Sequence, residues 1–264
     1  WGRMEFGNIG NYYIIEPFIR MLHDAFPSAT IRTTLQMSKR FCNNENIEVL
    51  PMNLYYGWDN DVVKAEEELK IAKEFKKTGH FLKKTPFLEE VIKADLVIDF
   101  SGDIWGDNAD FLGNDRFYVG LCKNKVAQLL SKRTVMLAGS PGPFSNEKNL
   151  AFAKDVFSNF DLVTNREFIS KRLLHDYGFD TSKTYSFACP SFCFEPTDIS
   201  KIRCLDQVSE MIQSKRTKIG FVICGWNFLQ GPFDKWPRKD SEYIVFAEAL
   251  EKFSNEVDCD IYLM

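Results

Sequence analysis

The sequence predicts an α/β protein built on parallel sheets and divided into two parts. Short β-rich apolar runs alternate with longer amphipathic segments, the order that lays helices on the faces of a parallel sheet. A length of 264 residues exceeds one average domain and allows a sizeable core. The alternation breaks once, at Pro190-Ser-Phe-Cys-Phe-Glu-Pro196, a stretch suited to an interdomain connection, and then resumes. The domains are therefore set at residues 1–195 and 196–264.

Taken in order, strands are predicted at 29–34, 47–50, 96–100, 134–138, 162–164 and 184–188. The amphipathic segments between them predict helices at 13–25, 62–78, 87–94, 117–131, 147–158 and 167–177. The last follows Thr164-Asn165, a capping pair, and stops at Gly178, a residue suited to a C-cap. Past the break come a helix near 205–214 and a strand at 218–224. A long loop with Trp226, Phe233 and Trp236, a helix at 241–257 and a closing strand at 260–264 complete this start of a second domain. Trp1 in place of an initiator methionine, and a final strand with nothing after it, read as the ends of a fragment.

Composition narrows the function. A net charge of −4 gives no broad cationic surface, so nucleic-acid binding is not expected; a small anion needs only a local cluster. The seven cysteines are scattered, several inside apolar runs, and read as reduced thiols of a reducing compartment rather than metal ligands. The longest apolar runs fall far short of the roughly 20 residues that cross a bilayer. The charge-rich stretch at 64–84 has glutamates and lysines at helical spacing and reads as a solvated helix face. Asp258-Cys-Asp260 reads as a turn into the last strand, and His23 and His175 as packing or surface residues.

Ligands gather at the carboxyl ends of parallel strands, which directs attention to the loops there. Ser101-Gly-Asp-Ile-Trp-Gly-Asp107 joins Gly102, Asp103 and the aromatic Trp105, with Asp103 a candidate general acid or base. Gly139-Ser-Pro-Gly-Pro-Phe144 fixes an unusual backbone path, presenting the Ser140 hydroxyl and Gly142. Thr164-Asn-Arg-Glu-Phe-Ile-Ser170 enters a helix, so that Arg166 and helix-end N–H groups converge on a candidate anion site beside Glu167. Gly7-Asn-Ile-Gly-Asn11, with Asn8, Gly10 and Asn11, reads as a loop leading into the first helix. A tight turn or a surface ion pair is the plainer alternative at each of these loops.

These loops, with Leu96-Val-Ile-Asp-Phe-Ser-Gly-Asp103 and Cys189-Pro-Ser-Phe192 in the same order, give a chain that resembles the polysaccharide pyruvyl transferase family over roughly residues 7–192. The resemblance implies two Rossmann-like domains in a GT-B-like arrangement. It implies transfer of a pyruvyl group from phosphoenolpyruvate to two hydroxyls of a glycan or lipid-linked sugar, with no metal and no cofactor. Asp103 and Arg166 would then be catalytic. Asn8, Gly10, Asn11, Ser101, Gly102, Trp105, Ser140, Gly142 and Glu167 would bind substrate, with Trp105 stacking on a sugar. The expected location is cytoplasmic, with peripheral association at the inner membrane face. Two departures stand out: Cys189-Pro190 where the family shows Asp-Pro, and the lack of its late basic residues, for which Arg238 and Lys239 are the nearest substitutes. A nucleotide-sugar-dependent glycosyltransferase and a non-catalytic glycan-binding relative remain open alternatives.

Overall fold

In a computed structural model, residues 9–196, 209, 211, 213–221 and 240–263 are described. The chain separates into two compact units, Trp1–Glu195 and Pro196–Met264. In the first, α1 (Ile9–Ala25) leads to β1 (Ile31–Thr33), α2 (Lys39–Asn44) and β2 (Ile47–Val49), and the two strands pair in parallel with Ile31 opposite Ile47. Then come α3 (Asp61–Thr78), α4 (Pro86–Lys93) and the strands β3 (Leu96–Asp99), β4 (Arg133–Gly139), β5 (Leu162–Asn165) and β6 (Thr184–Ser186). These four form one parallel sheet in sequence order. Parallel neighbours need crossovers, and α5 (Arg116–Leu129), α6 (Glu147–Ser158) and α7 (Ile169–Asp176) supply them. The carboxyl ends of all four strands therefore share one edge.

Two local differences from the expected pattern have physical causes. The first helix starts at Ile9, so Gly10 and Asn11 lie in its first turn rather than in a loop, and the expected cradle is corrected there; Asn8 lies outside the described residues. The short α2 is capped by Ser38, whose hydroxyl accepts from the Phe41 amide at 3.1 Å. Six residues carry too little periodicity to be read from sequence.

The phenylalanine excess goes largely to packing. Phe117, Phe144, Phe157, Phe160 and Phe179 surround Trp105 between the sheet and its helices, with Leu121, Met136, Val156 and Val163. A second cluster joins α3, α4 and α5 through Ala65, Leu69, Leu88, Val119 and Val126. The stretch at 190–195 is not a free connection: Phe194 packs against Tyr13 (4.5 Å) and Tyr12 (5.6 Å) of α1, while Arg20 donates to the Cys193 carbonyl and pairs with Glu195.

In the second unit, β7 (Thr217–Phe221) and β8 (Cys259–Leu263) pair in parallel, joined through α8 (Asp240–Glu256). Asp258 lies in the turn that opens β8, as expected, and Arg216 holds it at 2.9 Å and Asp260 at 2.5 Å. Trp226, Phe233, Trp236, Arg238 and Lys239 lie outside the described residues.

One ion pair is buried among α3, α4 and α5. Lys123 Nζ lies 2.5 Å from Glu68 Oε2, both side chains being 7% exposed, and it also donates to the Leu54 carbonyl at 2.8 Å. The Thr85 hydroxyl donates to Glu68 at 3.0 Å. Burial pulls the Lys123 pKa below its usual range despite Glu68. Removing one partner strands the other charge, at a cost of about 3–5 kcal/mol. Urea unfolding should show that loss for Lys123→Met alone and recovery of most of it in Lys123→Met with Glu68→Leu, because paired replacement leaves no buried charge.

Candidate active site

The site is built from the loops that leave β3, β4 and β5. Asp99 closes β3 with its carboxylate buried, accepting from the Asn124 side chain at 2.5 Å and the Ser101 amide at 2.9 Å. That anchor bends the chain into a short 3-10 turn, Gly102–Ile104. Gly102 takes a left-handed φ of +65°, where a β-carbon is strained, and a side chain there would begin 3.7 Å from Arg166 Nη1. The turn leaves Asp103 outward, with its side chain 53% exposed.

The loop after β4 runs alongside. A register shift between Met136 and Gly139, with Ala138 at a φ of 53°, re-aims the chain as it leaves the sheet, a role bulges commonly have beside functional sites. Three main-chain hydrogen bonds then zip the loops together: Ser140 N to Gly102 O (2.9 Å), Gly142 N to Trp105 O (2.9 Å) and Asp107 N to Pro143 O (2.9 Å). Gly106 meets Gly142 so closely that a β-carbon on Gly106 would lie 2.7 Å from the Gly142 backbone. Gly142, expected to approach substrate, thus packs against Gly106. Asp107 fastens the far end, accepting from the Ser145 hydroxyl at 2.6 Å and the Asn146 amide at 3.3 Å.

Trp105 corrects a second expectation. Its ring is 2% exposed and makes edge or tilted contacts with Phe117, Phe144, Phe157 and Phe179 at 5.4–6.1 Å, so it is core and presents no face to a sugar. Its Nε1 and the Nε of Arg116 are buried without a hydrogen-bond partner among the described residues, and both side chains line a cavity of about 10 Å³ with Tyr55, Asp99 and Ser101. Burial first, then the charge of Asp99, keeps the Tyr55 hydroxyl protonated far above its usual range. The Arg116 guanidinium lies 5.1 Å from the Tyr56 ring and 5.8 Å from those of Tyr55 and Trp58.

From β5, the Arg166 amide donates to the Gly139 carbonyl at 3.0 Å, tying the third loop to the second. Arg166 Nη2 reaches to 3.9 Å from Asp103 Oδ1, with its side chain 24% exposed. Glu167 turns inward: it accepts from the Ser170 amide at 2.9 Å, the Ser170 hydroxyl and the Ser140 hydroxyl at 3.2 Å. The first amides of α7 are thus capped by the chain's own carboxylate, which corrects the expectation of a helix-end anion site. Burial pushes Glu167 up, but the bonds from Ser170 and Ser140 outweigh it and hold the carboxyl below its ordinary value of 4.5. Glu167 and Ser140 therefore act as positioning groups for the loop that carries Arg166.

The loops bring together Ser101, Gly102, Asp103, Ser140, Arg166 and Glu167 of the expected set, and they bury Trp105. Sequence reasoning missed Tyr55, Arg116 and Asn124, which belong to no loop signature, and gave no role to Asp99 within the run Leu96–Asp103. It also missed the side chain of Asn165, which is fully buried with both amide atoms unpartnered among the described residues. Its Oδ1 lies 3.5 Å from where a β-carbon on Gly139 would stand. Unpaired buried amides are rare and costly.

An acid, a guanidinium and a hydroxyl thus gather at the carboxyl edge of a parallel sheet, where open α/β domains bind their ligands. The family model described as polysaccharide pyruvyl transferase matches residues 8–213, and the chain belongs to that family. No curated protein and no solved structure matches the chain.

Two substitutions test this geometry. Gly106→Ala should cost about 1–3 kcal/mol in denaturant unfolding, because the loops must part to admit the methyl group. Since the folded Glu167 carboxyl is depressed, its contribution to stability is complete above the unfolded value of 4.5 and fades as pH falls through the lower folded one. Glu167→Gln should therefore flatten the acid limb of the thermal-stability curve below about pH 5, so that variant and parent converge there.

Proposed function

We propose that this chain moves a pyruvyl group from phosphoenolpyruvate to two hydroxyls of a sugar, forming a cyclic ketal and releasing phosphate. The single observation that carries the reading is the Asp103–Arg166 pair, 3.9 Å apart on the loops that leave β3 and β5 in a member of this family. At that distance the guanidinium is not tied up by Asp103, and no side-chain hydrogen bond holds it among the described residues. Its planar fork fits the carboxylate or phosphate of the donor.

Asp103 hands a proton to the methylene carbon of the donor, which leaves cationic character on the neighbouring carbon. A sugar hydroxyl attacks that carbon and returns its proton to Asp103. The carbon–oxygen bond to phosphate breaks, the second hydroxyl closes the ring, and its proton leaves with phosphate. Donor and diol thus account for every atom of ketal and phosphate, and no redox partner is needed. Phe168, 80% exposed and next to Glu167 in the chain, offers the sugar an apolar face in place of the buried Trp105. The acceptor is a glycan or a lipid-linked sugar, which sets the reaction in the cytoplasm with peripheral association at the inner membrane face. Among the described residues no helix is long and apolar enough to cross a membrane.

Phosphate release from phosphoenolpyruvate by the intact protein, with β-galactoside, mannosamine-type and glucuronate-containing acceptors, tests this. Asp103→Asn should lower kcat by roughly 10²–10⁴-fold. Arg166→Ala should lower kcat/KM for phosphoenolpyruvate by about 100-fold or more, the worth of two charge-assisted hydrogen bonds. Parental turnover in both variants would remove the proposed roles. Sugar-nucleotide binding with no phosphate release would favour a glycosyltransferase.

A further inference from the structure

The stretch from Lys70 to Lys84 holds six lysines and one glutamate in a chain whose net charge is −4, so positive charge is concentrated there. Lys70, Lys73, Lys76 and Lys77 are exposed on the second half of α3, and Lys83 and Lys84 are exposed just before α4. Lys77 pairs with Glu74 at 3.0 Å and Lys83 with Glu67 at 2.8 Å. Lys70, Lys73, Lys76 and Lys84 have no carboxylate partner among the described residues. Lys70, Lys73 and Lys77 also line an open groove of about 300 Å³ along α3, with Glu66, Glu74 and Tyr118, so the lysines outnumber the carboxylates there by one.

The segment between the lysines, Thr78-Gly-His-Phe-Leu82, ends in two apolar residues. Leu82 is 90% exposed, the most exposed of the large hydrophobic side chains described. Beside it Phe81 stacks on Phe75 at 4.1 Å and 14°, with the Lys84 ammonium 5.3 Å from the Phe81 ring centre. A solvated helix face explains the lysines but not a leucine held out between them on an ordered aromatic pair. Clustered cations around a protruding apolar residue fit one surface in particular: anionic headgroups with hydrocarbon beneath them.

We propose that residues 70–84 dock the protein onto a bilayer surface bearing anionic phospholipids, the lysines meeting the headgroups and Leu82 entering the boundary below them. Nucleic acid is disfavoured as occupant by the acidity of the rest of the chain and by the apolar tip, which a phosphate backbone does not reward. The surface deepens the membrane association proposed above and rests on that reading only for the side of the membrane.

Co-sedimentation of the intact protein with vesicles of phosphatidylglycerol and phosphatidylcholine, against phosphatidylcholine alone, tests it. Binding should require phosphatidylglycerol and weaken with salt. The triple variant Lys70→Gln, Lys73→Gln, Lys76→Gln should partition roughly 100-fold less, at about 1 kcal/mol per lysine. Leu82→Ser, which leaves every charge in place, should lower partitioning about tenfold. All four positions are exposed, so an unchanged melting temperature would confirm that the variants fold. No binding to anionic vesicles, or binding that neither variant weakens, would overturn the proposal. So would lysine-dependent binding to soluble heparin without vesicle binding. Phosphate release with a soluble acceptor reads the transferase reaction separately, so either conclusion can fail alone.

Discussion

Three main-chain hydrogen bonds between the loop after β3 and the loop after β4, closed over by the Gly106–Gly142 contact, set the position of everything else at the carboxyl edge. The bonds need two backbones to lie side by side, and only residues without side chains at the crossing allow that approach. Beneath the crossing, Trp105 fills the core and carries one of the bonded carbonyls. Packing of the aromatic cluster and placement of Asp103 are therefore a single constraint seen from two sides.

The third loop is tied to this frame by the Arg166 amide and by the Ser140–Glu167 hydrogen bond. The frame is mostly backbone, and Asp103 and Arg166 project from it with few bonds of their own. Asp103 and Arg166 are exposed enough to meet a ligand, whereas Asp99, Asn124 and Glu167 are held by hydrogen bonds and serve to orient. A site with rigid supports and freer ends suits a reaction whose donor and acceptor must both be gripped and later released.

Much of the fold was legible because its signals are local and periodic. The run at Leu96–Asp99 and the amphipathic span of α6 announce themselves within their own windows. Gly102, Asp103, Ser140 and Arg166 were legible as loop residues at strand ends, since topology alone assigns such places to ligands. What could not be read depends on contacts between distant segments. Trp105 looked like an exposed platform because a tryptophan beside glycines and aspartates carries no mark of burial; four phenylalanines from other elements decide it. Arg116, Tyr55 and Asn124 lie far apart in the chain and converge only once α5 is packed. The capping of α7 by Glu167 escaped notice because the sequence placed Glu167 beside a free helix end, whereas its oxygens fold back onto Ser170.

The inward turn of Glu167 bears on how such an enzyme changes over generations. With the first amides of α7 claimed by Glu167, an anion at this edge would meet the Arg166 side chain rather than that helix end. Side-chain recognition can be rewritten by a single codon change, whereas a backbone cradle can be altered only by remodelling the loop. A change of side chain at position 166 would therefore leave the Gly106–Gly142 crossing and its main-chain bonds untouched.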